Sequence, residues 1–340
     1  MLLIFLALNG WATEDTEPYF LAAERVEVKT TETGRVSYLQ GGVGIFHRGI
    51  VLTGNKGIVW EKEGKAAILG AVKIVDEKRT ITADEGYYYR NQHLAILKGK
   101  VKTQTESQTL SADSVVYYRD QEKTEGYGHL VIVENQRQMR LFGEEGFYSD
   151  KAEYGVITGK PRLVLHGDNP ESTITITSQK MELYRQSEIA LATKEVVITK
   201  KKMTAYCDKA TFFNKEERAV LEGNPSAEEE KRRVEGDTIE LFFKANILKE
   251  IKIKGKAKSR EIGNNDRENL LFANTLVLKL EGEKPKILEA TGQAQSIYFP
   301  EKEKGKNFVW SEQLNFSLNE GELTSVIATG KPKGIYIMTK

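Results

Sequence analysis

The sequence predicts an all-β protein built as one long antiparallel folded sheet of about ten two-strand repeats. Three features of the 340 residues carry this: a nine-residue pattern that recurs ten times, a glycine-bearing companion segment between successive copies, and a near absence of helical patterning.

The recurring pattern begins at residues 21, 52, 81, 110, 141, 176, 205, 234, 271 and 309, so its spacings run from 29 to 38 residues. The third position is always small (Ala23, Gly54, Ala83, Ala112, Gly143, Ser178, Cys207, Gly236, Ala273, Ser311). The fourth is acidic or an amide: Glu24, Asn55, Asp84, Asp113, Glu144, Gln179, Asp208, Asp237, Asn274, Glu312. The eighth is large and apolar or aromatic: Val28, Val59, Tyr88, Tyr117, Tyr148, Leu183, Phe212, Leu241, Leu278, Phe316.

Within a strand, inward positions follow period 2. Here the inward set is 1 and 3, then 6 and 8, so the parity switches at the acidic residue. Such a switch requires a bulge or sharp bend, which a small neighbour permits. The companion strand carries its own breaker, at Gly70, Gly99, Gly128, Gly159, Gly223, Gly255, Gly292 and Gly330. Asp84 and Gly99, like Asp113 and Gly128, straddle a polar hairpin turn at similar distances. Antiparallel pairing therefore sets the bends side by side, creasing the sheet along one line into two walls. An open sheet rarely exceeds ~10 strands without curling or splitting. About twenty strands at ~4.8 Å each would run on the order of 95 Å along the crease, a trough with apolar inner and charged outer walls. The segment Ala227–Lys231 reads as a solvated turn, and the insertions around 166–173, 260–270 and 298–308 fall at hairpin ends.

Composition narrows the function. Fifty Lys+Arg oppose 49 Asp+Glu for a net charge of +1, without the basic excess that nucleic-acid binding needs. The single cysteine, Cys207, excludes an intrachain disulfide and a Cys-pair zinc site, and His47, His93, His129 and His166 lack metal-ligand spacing. Neither a metal nor a cofactor is expected. In the acidic column, amides at positions 55, 179 and 274 replace carboxylates. An amide cannot act as a general acid or base, so Asp84, Asp113, Asp208 and Asp237 read as structural crease residues bonded to backbone groups, not as catalysts. Residues 1–12 contain an apolar run, Met1–Trp11, ahead of a polar stretch. They read as a signal peptide without basic residues at its start, leaving a single elongated repeat domain over 13–340 in the periplasm.

With these columns, above all Ile81–Tyr89, Leu110–Tyr118 and the AILKGKV companion at 95–101, the sequence resembles the OstA/LptA superfamily, the β-jelly-roll or β-taco modules of lipopolysaccharide export. The resemblance spans roughly residues 20–340. It implies a non-catalytic periplasmic lipid carrier or bridge, with acyl chains of lipopolysaccharide or a related lipid held against Tyr88, Tyr117, Tyr148, Leu183, Phe212, Leu241, Leu278 and Phe316. It also implies partners of the same kind, LptC-like and LptD-like modules or a second copy, joined end to end by edge-strand pairing. The chain is longer than short bridge members and lacks the barrel that follows the module in LptD-like ones. A structural or adhesion β-repeat with a closed core is the alternative.

Overall fold

The computed structural model describes residues 20–338 apart from 48–49, 76, 78, 135–137, 167–172, 245–246, 264–266, 283, 300–304 and 320–321. The expected signal peptide lies outside the described residues. All the strand pairings described are antiparallel, and helical structure among the described residues is one 3-10 turn, Arg90–Gln92. Among the described residues the chain makes twenty passes, as the repeat count predicts. Fourteen are continuous strands and six are interrupted at the bend, such as Tyr154–Thr158 with Arg162–Leu165 and Arg218–Glu222 with Ser226–Glu229.

The chain divides into two compact units: an N unit of residues 2–168 with 180–186, and a C unit of residues 169–179 with 187–340. In the N unit the bend is a two-residue bulge facing one residue. Between Thr80–Tyr89 and Leu94–Gln104 the register runs Thr82 to Lys102 and then Glu85 to Lys98, so Gly99 and Lys100 face Asp84 alone. On the other side the same two residues face Asp113. Both bulge residues are left-handed, with φ of 77° and 46°. Glycine suits the first seat on two grounds: it tolerates that φ, and a Cβ at Gly99 would come within 2.7 Å of Asp84 Cβ. The C unit repeats the device, with Gly255 and Lys256 facing Asn274, and Gly292 and Gln293 facing Asn274 and Glu312.

The bends place the two halves of each pass in facing walls. The first wall carries positions 1 and 3 of the pattern, and the second carries positions 6 and 8. In the N unit a Cβ at Gly86 of the second wall would lie 3.6 Å from Val72 of the first. Large side chains fill the space between, with Ile81, Leu130, Ile132, Met139, Leu141 and Leu163 all essentially inaccessible. In the C unit much of the buried set is alanine: Ala190, Ala192, Ala210, Ala219, Ala257, Ala290 and Ala294.

The insertions expected at 260–270 and 298–308 lengthen strands more than loops. Ile247–Ile262, Glu268–Glu281, Lys284–Tyr298 and Gly305–Asn319 are 14 to 16 residues long, against 11 for Leu94–Gln104. Extra residues that can pair with both neighbours satisfy their backbone groups in the ladder, which a loop of the same length could not do internally. Of Ala227–Lys231, the first three residues are in strand, paired with Arg232–Val234, and the turn itself is confined to Glu230–Lys231.

Candidate functional site

Position 6 lies next to the crease and position 8 one step further out, on the same inner face. In the C unit the position-6 residues Ala210, Ile239, Leu276 and Leu314 are at most 1% exposed. Two residues along, Phe212, Leu241, Leu278 and Phe316 are only half-buried. Inward-facing large side chains with residual exposure mean that the facing wall does not cover them, so the walls part with distance from the crease. In the N unit the column is shut at Tyr117, Tyr148 and Leu183, which are at most 2% exposed, while Val59 and Tyr88 are half-buried and Val28 is exposed. Burial pushes the Tyr117 phenol up to about 12, Glu122 adding to the rise and Arg79 opposing it.

The crease residues Asp84, Asp113, Asp208 and Asp237 are exposed on the outer side of the bend. At two of them the backbone N–H is satisfied by the adjacent bulge: Asp208 N–H donates to the Gly223 carbonyl at 3.0 Å and Asp237 N–H to the Gly255 carbonyl at 2.8 Å. Each side chain lies over the neighbouring glycine, where a Cβ at Gly128 would meet Asp113 Cγ at 2.8 Å and one at Gly255 would meet Asp237 Cβ at 2.8 Å. Two side-chain bonds run from this column to the second bulge residue. Asp113 pairs with His129 Nδ1 at 2.8 Å, and Gln179 Nε2 donates to Glu195 at 2.5 Å. Among the described residues no three His, Cys, Asp or Glu side chains cluster as a metal site. Cys207 is buried, and burial raises its thiol to about 11, leaving it protonated and inert at neutral pH.

The outer faces of the two units differ in a way sequence reasoning missed. In the N unit, Glu125 accepts from Tyr118 at 3.0 Å and Tyr127 at 2.6 Å and pairs with Lys123 at 2.6 Å. Lys123 in turn lies 4.7 Å from the Phe147 ring centroid. Burial works against the Glu125 carboxylate, but Lys123 and the two phenols outweigh it and its pKa falls. Glu182, with Tyr154 and Lys180, repeats the arrangement. The C-unit face instead carries cross-strand ion pairs, Lys209 with Glu222 at 2.9 Å and Lys254 with Glu240 at 2.7 Å. The alternation of Tyr87, Tyr88 and Tyr89 is the signal that could have separated the outer aromatics from the inner column.

Both terminal passes leave apolar side chains uncovered. In Arg25–Thr31, Val26 and Val28 are about half exposed; in Lys333–Met338, Ile335, Tyr336, Ile337 and Met338 are exposed on both faces.

The sequence matches no curated protein. Among solved structures, LptH from Pseudomonas aeruginosa, described as the LptA homologous periplasmic component of the lipopolysaccharide transport device, is similar at 14% identity and a TM-score of 0.32. The likeness covers 41% of this chain and 95% of that one. A family model, the LptA/(LptD N-terminal domain) LPS transport protein, matches residues 21–123 and 80–247, which together span well over half of the chain. The twenty creased passes and the matched residues thus agree, and the chain belongs to the LptA/LptD N-terminal domain family of lipopolysaccharide transport proteins.

Proposed function

We propose that this protein is a non-catalytic periplasmic carrier or bridge that holds lipopolysaccharide acyl chains between its walls on the way to the outer membrane. The observation that carries this reading is the half-buried inner column Phe212, Leu241, Leu278 and Phe316, in a chain whose family is one of lipopolysaccharide transport. Apolar groups that face another wall without being covered by it can be covered by an acyl chain, which gains about 0.8 kcal/mol per buried methylene. The crease carboxylates support a non-catalytic role, since they lie on the outer side of the bend, away from this column. The exposed apolar residues of the first and last passes support end-to-end pairing with LptC-like or LptD-like modules or with a second copy. The shut column at Tyr117, Tyr148 and Leu183 favours a second reading for the N unit, a closed structural repeat that a lipid enters only if the walls open. The two readings are separated by whether lipopolysaccharide is captured from inside the walls and not from outside them.

A further inference from the structure

In the N unit the free end of the first wall is a tight polar turn. On the first wall Thr80 pairs with Gln104, which sets Arg79 beside the turn Thr105–Gln108. There the Thr105 N–H donates to the Gln108 carbonyl at 2.8 Å, and Thr105 Oγ1 accepts from the Gln108 N–H at 3.1 Å. The second wall ends at Tyr117, Glu122, Asp150 and Arg185. Burial raises the Asp150 carboxyl; Arg185 opposes the rise, Glu122 adds to it, and Arg79 also opposes it.

Gln108 belongs to the inward parity of Leu110 and Ala112 and is only 4% exposed, yet its Nε2 has no hydrogen-bond partner among the described residues. Native folds rarely leave a buried amide donor unpaired. A group able to satisfy it from between the walls must be an acceptor. The ladder neighbour directly opposite it, Glu134, is a carboxylate, which opposes an anion such as a phosphate. A neutral oxygen fits instead.

We propose that Gln108 is a binding site for a neutral carbonyl oxygen, the amide or ester oxygen through which an acyl chain joins its head group. The proposal rests on the reading that a lipid enters between the walls. Its internal rival is Glu134, the ladder neighbour directly opposite Gln108, since an amide turned onto that carboxylate would be purely structural.

The test uses the full chain and two probes of equal chain length below their micelle concentrations: N-dodecanoylglucosamine, which has the carbonyl, and dodecyl glucoside, which does not. Gln108→Leu is expected to weaken the first roughly three- to tenfold, the loss of one hydrogen bond. It should leave the second unchanged and leave the thermal midpoint equal or higher, and Gln108→Met should behave alike. Equal losses for both probes, no loss for either, or a lowered midpoint in both variants would overturn the proposal, the last in favour of the Glu134 pairing. If neither probe binds the wild-type chain while its fold is intact, the lipid-holding reading falls, and this proposal with it.

Discussion

Lys194 holds a left-handed backbone, φ 63°, in the seat that glycine occupies at positions 41, 70, 99, 128, 159, 223, 255, 292 and 330. Thr193 and Val196 pair with Lys209 and Cys207, so Lys194 and Glu195 face Asp208 as the glycine bulges face their own crease residues. A side chain in that conformation costs about 1–2 kcal/mol, partly offset by the unfolded-state entropy that glycine would bring. Lys194→Gly is therefore expected to raise stability by roughly 0.5–1 kcal/mol, read as a higher urea midpoint with unchanged slope, and an unchanged or lower midpoint would count against this account of the bulge. At the equivalent pair, the hydrogen bond that His129 Nδ1–H donates to the Asp113 carboxylate, reinforced by that group's charge, raises the His129 pKa above 6.5. Since the folded value lies above the unfolded one, the contribution of the pair is present below pH 6.5 and is lost as pH rises through the folded pKa. Proton NMR should show His129 titrating above 6.5, and Asp113→Asn should bring it down; no change in that variant would mean the pair does not form in solution. The glycine seats were legible because glycine recurs at a fixed distance from each turn. Lys194 was not, since nothing in a Lys-Glu pair announces a positive φ and only the ladder on both sides imposes it.

Strands and creases were legible for a related reason: the parity switch between positions 3 and 6 admits few backbone solutions, and repetition makes it visible. The sequence did not reveal that the eighth column is shut at Tyr117, Tyr148 and Leu183 and parted in the C unit. That depends on how closely the two walls approach each other, which is set by packing across the fold and which no local pattern encodes. Nor was the uncovered state of the end strands legible, because a terminal strand has the same alternation as a central one. The last pass pairs with Gly305–Trp310 on one side, and Ile335 and Ile337 belong to a strand exposed on both faces. Proline has no N–H to offer an incoming strand. Ile335→Pro with Ile337→Pro is expected to shorten concentration-dependent oligomers in light scattering, with the circular dichroism spectrum retained. Oligomers of unchanged size would exclude this edge as the joining surface.

For the molecule as a whole, the central claim is that its inner apolar surface serves lipid and does not merely close a core. Phe212 and Lys209 lie on one strand, Met203–Phe213, with opposite parity: Phe212 faces in, and Lys209 faces out beside Glu222. A photo-crosslinking residue placed at either position in turn, in cells making lipopolysaccharide, samples the two faces about 10 Å apart along one strand, with the same expression, location and fold. Lipopolysaccharide is expected to be captured at Phe212, and likewise at Leu278, and not at Lys209. Capture of equal strength on both faces, or none at Phe212 and Leu278 in a protein that keeps its β spectrum, would contradict the account and leave a closed structural repeat in its place.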